Sequence, residues 1–396
     1  MSHNQSFCTI DDLRDIEDFL IETRRRIHRN PELSFHEKET AELVAGHLQS
    51  WGYEVARGIG GHGVVGSLAT STDGPTVAIR ADMDALPIQE DTHLPYASQN
   101  AGVMHACGHD GHTAVLLGAA RQLARTRNFS GTVRLIFQPA EEAGRGGGAE
   151  RMIADGLFER FPCDAIFGLH NHPGRPSGTL MFRSGAFMAA VDMVYITIHG
   201  KGGHAARPHQ TVDPIVVAGS LVMALQSIVS RNVNPLETAV VTIGALNSGS
   251  APNVIPESAT MKLCVRSFSE AVRAQLRERI TALVTSHAEG YGAQVEIDYQ
   301  EGYPVLVNSE RETRLAQTVA EELVGPDNVA APFERSTGSE DFACYLQHKP
   351  GCFLRLGNGR DSASLHSPAY NFNDDSLLVG AAYWTRLVER YLAQSA

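Results

Sequence analysis

The chain has 396 residues, 43% of them hydrophobic and 20% charged, with a formal net charge of −12. That length exceeds what a single core usually fills, so two domains are expected. The acidic balance, with a pI of about 5.8, argues against nucleic acid or an anionic membrane as a partner, and no uninterrupted apolar run of about 18 residues reads as a membrane span.

In chain order, the stretch from Met1 to Asp18 is polar and acidic and lacks the apolar core of a signal peptide. Six scattered cysteines, Cys8, Cys107, Cys163, Cys264, Cys344 and Cys352, then predict reduced thiols in a cytoplasmic protein rather than a disulfide framework. Residues 11–51 read as two helices, with Ile16, Leu20 and Ile27 on one and Ala41, Val44 and Leu48 on the next, broken at Asn30-Pro31. Short β-branched runs follow at 63–68, 76–79, 132–137, 164–168 and 352–356, with apolar helical stretches between several of them, notably 113–124. Strands alternating with helices predict an α/β fold, a mainly parallel sheet with helices on both faces. The region 190–297 has another rhythm: strand 191–199, apolar helix 214–230, strands 239–243 and 259–265, amphipathic helix 270–288 and strand 294–298. That β-α-β-β-α-β order is ferredoxin-like. Residues 310–323 and the 352–356 strand resume the first style. The reading is a discontinuous α/β domain, 1–186 and 300–396, carrying an inserted α+β domain at 187–299.

Polar clusters fall on this frame at one place. Asp82 and Asp84 follow the 76–79 strand, Glu141 and Glu142 the 132–137 strand, and His170 the 164–168 strand, while Cys107 and His109 precede a helix and His366 lies beyond the last strand. Open α/β sheets place their ligand crevice beyond the carboxyl ends of their strands. A lone Cys107-x-His109 is more often a buried Cys beside a surface His. Four histidines within reach (His105, His109, His112, His170) and two nearby carboxylates favour a metal site instead, because thiolate, imidazole and carboxylate are the ligands a divalent ion takes. Glu141-Glu142 would ordinarily be a solvated pair. Here it follows a buried strand and Pro139 and precedes glycines, so one carboxylate can ligate metal while its neighbour takes a proton from water. Asp82 and Asp84 are turn residues or, alternatively, orient a ligand histidine. His28, His36, His47, His62, His93 and His348 sit singly in polar stretches and receive no role. In the inserted domain, Gly200-Lys201-Gly202-Gly203-His204 presents a histidine flanked by glycines, with Asn253 and Arg266 in the same domain. An Arg matters there only where a carboxylate must be held by its bidentate fork. Taken together these residues describe a metal-dependent hydrolase.

The motifs resemble the M20 metallopeptidase and amidohydrolase family, in the branch containing hippurate hydrolase, N-acyl-amino-acid amidohydrolases and auxin-conjugate hydrolases. The likeness runs nearly end to end, through Arg25-Arg26-Ile27-His28-Arg29-Asn30-Pro31-Glu32-Leu33-Ser34, Arg80-Ala81-Asp82-Met83-Asp84-Ala85-Leu86-Pro87 and the Cys107 and Glu141 segments. It continues through Gly168-Leu169-His170, His199-Gly200-Lys201-Gly202-Gly203-His204-Ala205, Pro252-Asn253-Val254-Ile255-Pro256, Gly338-Ser339-Glu340-Asp341-Phe342 and Leu365-His366-Ser367-Pro368. The resemblance implies two divalent metal ions per subunit, with Cys107, His109, Glu142, His170 and His366 as ligands and Glu141 as general base; a Cys and His donor set is compatible with Mn, Zn, Co or Ni. It implies that His204 reaches the partner subunit's site to steady the oxyanion, that Asn253 and Arg266 hold the substrate's backbone and carboxylate, and that the inserted domain is a dimerisation lid in a homodimer. Where the wider family has His-x-Asp, this chain has Asp82-x-Asp84, which leaves the division of ligands between the metals open. His172 stands where an aromatic residue is common, and either touches substrate or lines the loop. The expected activity is hydrolysis of N-acyl amino acids. The rivals are a dipeptidase or aminopeptidase on the same scaffold, for which no group to bind a free amino terminus is evident, and a non-catalytic metal or ligand-binding protein.

Overall fold

The computed structural model describes residues 6–71 and 73–393; the first five residues of the polar N-terminal stretch lie outside them. The chain divides into two compact units. One comprises Met1–Gly185, Val307–Glu334 and Asp341–Ala396, the other Ala186–Leu306 and Arg335–Glu340.

The first unit opens with helices α1 (Glu17–Arg29) and α2 (Lys38–Ser50) and strands β1 (Glu54–Ile59), β2 (Gly63–Ala69) and β3 (Thr76–Asp82). Then come α3 (His109–Thr126), β4 (Thr132–Gln138), α4 (Gly148–Ala154), β5 (Ala165–His172) and β6 (Leu180–Met181). The second unit holds β7 (Ala190–His199), α5 (Pro214–Arg231), β8 (Ala239–Ser248), β9 (Ser258–Ser267), α6 (Glu270–Gly290) and β10 (Gln294–Glu301). The chain closes in the first unit with α7 (Glu310–Val324), β11 (Val329–Ala330), β12 (Gly351–Gly357) and α8 (Leu377–Tyr391).

Eight strands of the first unit form one sheet in the order β1-β2-β4-β3-β5-β12-β6-β11. Its centre, β4-β3-β5-β12, is parallel throughout, and β1 and β2 add an antiparallel margin. Phe167 and Leu169 of β5 and Phe353, Leu354 and Leu356 of β12 are buried. A strand covered on both faces has no solvent side to alternate with, which is why these segments read as unbroken apolar runs. Helix α3 is buried along most of its length. At Gly118 a Cβ would fall 2.5 Å from Leu20 of α1 and 2.9 Å from Ala381 of α8, so this crossing needs glycine. Three details differ from the sequence expectation. β3 runs on to Asp82 and β5 to His172, so the polar ends of these strands are still in the ladder. His109 is the first residue of α3 rather than a residue ahead of it. β1 had no sequence signature because it is an edge strand whose Glu54, Arg57 and Gly58 are exposed.

The second unit has the β-α-β-β-α-β order, with strands in the order β8-β9-β7-β10 and every neighbour antiparallel. Val194, Ile196 and Ile198 alternate along β7 into a core shared with Val217, Leu221 and Leu225 of α5 and Leu276, Ile280 and Val284 of α6. Asp213 caps α5 by accepting the Ile215 N–H at 2.9 Å ahead of Pro214, and Ser269 caps α6 through Val272 N–H. α5 is long and apolar enough, by length and composition alone, to cross a membrane; its Val217-Leu221-Leu225 stripe is committed to this core.

Candidate metal centre

The ends of the parallel strands bring the expected residues of the first unit together. β3 delivers Asp82 and, just beyond it, Asp84; β5 delivers His170. After β4 the chain turns at Ala140, which takes a left-handed φ of 52°, and Glu141-Glu142 follow in a single 3-10 turn. Cys107 and His109 flank Gly108, whose φ is 97° and whose missing Cβ would lie 2.2 Å from Asn171 Nδ2. Only glycine can make that approach, and it swings the thiol and the ring toward one point. His366 also has a left-handed φ, 63°, and is about half exposed, with Nε2 3.2 Å from Glu142 Oε1.

Hydrogen bonds sort the four neighbouring histidines. His109 Nδ1 faces two acceptors, the Asp84 carbonyl at 2.9 Å and Asp84 Oδ1 at 3.1 Å, so it carries the proton and leaves Nε2 to ligate. That Nε2 is buried without a hydrogen-bond partner among the described residues. His170 Nδ1 likewise donates to the Asn171 carbonyl at 2.7 Å, and its Nε2 lies 3.2 Å from Cys107 Sγ. His112 is committed at both nitrogens: Nε2 accepts the Asn171 N–H at 3.0 Å and Nδ1 donates to Asp82 Oδ1 at 2.6 Å. His105 is buried with neither nitrogen hydrogen-bonded and belongs to no ligand cluster among the described residues. Ligand atoms of Cys107, His109 and His170 lie within 4.8 Å of one another, as do those of Cys107, Glu142 and His366, and those of His109, Glu141 and Glu142.

The electrostatics fit a cation. Burial, followed by the charges of Glu142, Glu141 and Asp82, pushes the Cys107 thiol well above its ordinary value. Burial disfavours a charged His109, but Asp82, Asp84 and Glu142 outweigh it and push the ring up to about 10. Burial, then His112 and Arg355, hold His170 well below its usual value, in the neutral form that ligates. A thiol and an imidazole kept protonated by the same carboxylates are groups that exchange a proton for a divalent ion. The orphaned His109 Nε2 and the sulfur shared by two clusters suit that replacement.

Several supporting residues carried no assigned role at the sequence level. Arg80, fully buried, donates to Asp82 Oδ2 at 2.6 Å, Gln138 Oε1 at 2.9 Å and Asp341 Oδ1 at 2.8 Å. Asp84 Oδ2 accepts from Ser34 Oγ at 2.7 Å and Glu142 N–H at 3.0 Å. Tyr370 Oη donates to Asn171 Oδ1 at 2.7 Å. His28, given no role, is fully buried, with Nδ1 2.8 Å from Asp110 and Nε2 3.2 Å from Glu90. His172, at the end of β5, packs edge-on against Phe333. In the second unit His204 is exposed in a two-residue strand paired with Val254–Ile255, and its Nδ1 accepts the Ala206 N–H at 3.0 Å. The Asn253 carbonyl accepts the Ala205 N–H at 3.2 Å. Arg266 donates from Nη1 to the Thr337 carbonyl at 2.6 Å.

Residues 78–390 match the family described as peptidase family M20/M25/M40. The chain is 43% identical over 383 residues to hippurate hydrolase of Campylobacter jejuni, covering 97% of this chain and 99% of that protein. It is also 43% identical over 373 residues to N-acetyl-L-cysteine deacetylase of Bacillus subtilis, covering 94% and 88%. A solved structure from Bacillus subtilis, described as a dinuclear metal-binding peptidase of family M20, superimposes with a TM-score of 0.84 at 36% identity, over 96% of this chain and 99% of that one. The chain belongs to peptidase family M20/M25/M40 and is a metal-dependent amidohydrolase.

Proposed function

We propose that the protein cleaves the amide bond of N-acyl amino acids, of the hippurate or N-acetyl amino acid type, to a carboxylic acid and a free amino acid. The observation that carries this is a pair of ligand clusters sharing Cys107, one completed by His109 and His170 and the other by Glu142 and His366. These five residues would hold two divalent ions, Mn, Zn, Co or Ni. Bound there, the ions would supply Lewis acidity, lowering the pKa of water and polarising the substrate carbonyl.

The protein's own groups do the rest. Glu141, buried beside His109 and Glu142, takes the proton of the attacking water and returns it to the departing nitrogen. An amide nitrogen is a poor leaving group, so the second transfer matters as much as the first. Asp84 holds His109 and Asp82 holds His112 in fixed tautomers. His204 accepts from Ala206 at Nδ1, so its proton sits on Nε2, ready to donate to an oxyanion. Removing one such donor typically costs about 2.7–4 kcal/mol of transition-state stabilisation. Asn253 would bind the substrate backbone, and Arg266 its free carboxylate, which the guanidinium fork reads better than an ammonium. His204 would serve a partner's site in a homodimer formed through the second unit, where Ile215, Val216 and Met223 of α5 are exposed and β8 is a sheet edge. Six free cysteines suit a reducing, cytoplasmic setting.

The test is a panel of hippurate, N-acetyl amino acids and dipeptides with a free amino terminus, assayed before and after chelation. Release of amino acid from the N-acyl substrates should stop on chelation and return with added metal. Faster cleavage of the free dipeptides would instead make the protein an aminopeptidase or dipeptidase, and metal binding without turnover would make it a binding protein.

A further inference from the structure

Glu37 lies at the head of α2, is fully buried, and belongs to none of the ligand clusters. Its Oε1 accepts two backbone N–H groups, from Phe35 at 2.9 Å and from Ala140 at 2.8 Å. Both donors are non-glycine residues in the left-handed region, Phe35 with φ 65° and Ala140 with φ 52°. Such residues persist there only where their surroundings over-determine them. Ala140 is itself buried and immediately precedes Glu141 and Glu142. The same segment reaches the site by two further routes. Ser34 Oγ donates to Asp84 Oδ2, the oxygen that also accepts the Glu142 N–H. The Glu32 carbonyl accepts the Ala85 N–H at 2.8 Å.

We propose that Glu37 is a positioning residue: by gripping the Ala140 N–H it holds the left-handed turn that sets where the Glu141 and Glu142 carboxylates lie. Resting on the catalytic reading above, it acts through those two residues and touches no substrate. A relaxed Ala140 would rotate the peptide that carries both carboxylates. One oxygen serves both N–H groups, while Oε2 is buried without a hydrogen-bond partner among the described residues. A glutamine can therefore present its own Oε1 in the same place. Leucine cannot, and it would leave the Ala140 N–H buried and unpaired.

The experiment compares wild type, Glu37→Leu, Glu37→Gln and the double variant Glu37→Leu/Ala140→Gly. Turnover of an N-acyl amino acid at saturating metal and the dissociation constant for cobalt(II) added to chelator-treated protein are both measured. Glu37→Leu should lower kcat about tenfold to hundredfold, the scale of a displacement of about 1 Å at a reacting group, with KM within about threefold. It should also weaken cobalt binding, since Glu142 moves as well. Glu37→Gln should recover most of both losses. Ala140→Gly should recover part of the kcat loss, because glycine adopts φ near +50° without strain. A purely structural role predicts no such rescue. Should Glu37→Leu fail to fold by circular dichroism, Glu37→Asp, which keeps the carboxyl group on a side chain one methylene too short to bring its oxygen to both N–H groups, takes its place with the same expectation. Wild-type kcat and cobalt affinity in the Leu or Asp variant, or equal losses in the Gln and Leu variants, overturns the proposal. Inactive wild type with the cobalt pattern intact would remove the substrate reading and leave the positioning role standing.

Discussion

Glu141 and Glu142 are adjacent carboxylates to which the proposed mechanism gives different tasks, and a change at one side-chain atom separates them. Glu141→Gln is nearly isosteric and leaves Cys107, His109, Glu142, His170 and His366 untouched, so it should keep two bound metals and the wild-type fold. An amide cannot take a proton, so kcat should fall by about 10²–10⁴-fold, the usual worth of general-base catalysis. Retention of more than about a tenth of wild-type turnover, with metal content confirmed, would assign the base elsewhere. The two carboxylates and the Cys-x-His pair were legible in the sequence because reactive side chains concentrate there in short motifs. Asp84, which holds His109, was also open to reading there as an orienting group, but the long-range supports were not legible. Arg80 meets Asp341 across 261 positions, and Glu37 meets Ala140 across 103; only folding makes them neighbours. The family resemblance named His109 and His170 rather than His112; the physical reason, that His112 is hydrogen-bonded at both ring nitrogens, is not carried by spacing.

Helices α1 and α3 are joined by buried charge as well as by the close packing at Gly118. His28 of α1 lies between Asp110 of α3 and Glu90, and Arg24 Nη1 stands 3.5 Å from Asp110. Burial disfavours the imidazolium, but the hydrogen bonds to Asp110 and Glu90 and the Asp110 charge outweigh it, and the His28 pKa is pushed up to about 9. A base whose folded pKa is raised binds more protons in the folded state. Its contribution to stability is therefore fully present below the ordinary histidine value near 6.5 and is lost as the pH rises through about 9. The difference corresponds to at most about 3–4 kcal/mol. Chelator-treated protein should thus show a melting temperature that falls between pH 6.5 and 9.5, and His28→Gln should flatten that fall while lowering the plateau. An equal slope in the variant would mean that His28 is neutral in the folded protein. Periodicity found α1 by its apolar face and α3 showed as an apolar helical stretch, yet neither signal gave His28 a role. A histidine in Arg24-Arg25-Arg26-Ile27-His28-Arg29 looks solvated until Asp110 is placed against it. The edge strand β1 stayed invisible for a related reason: with few buried positions it has no pattern to detect.

At the scale of the whole molecule, the β-α-β-β-α-β order of the second unit could be read from alternation and helix periodicity, but its return segment could not. Arg335–Glu340 joins that unit through the Ala189 N–H, which donates to the Ser336 carbonyl at 3.1 Å, the Ser336 N–H, which donates to the Phe187 carbonyl at 2.9 Å, and the contact of Arg266 with Thr337. Six residues are too few to show a period. His204 is exposed within the same unit, and the proposed homodimer has it complete the site of its partner. A mixing experiment decides between that arrangement and action within one chain. Glu141→Gln and His204→Ala should each be inactive alone. When they are unfolded together and reassembled, a heterodimer contains one site with Glu141 from one chain and His204 from the other, both intact, and one site lacking both. Each heterodimer should then have half the activity of the wild-type dimer. Heterodimers form about half of a random two-fold symmetric mixture, so about a quarter of wild-type activity should return overall. If His204 acts within its own chain, neither site of the heterodimer is whole. A mixture that stays inactive although heterodimers are detected by differential tagging therefore excludes the shared site, and a monomer by sedimentation excludes it more simply.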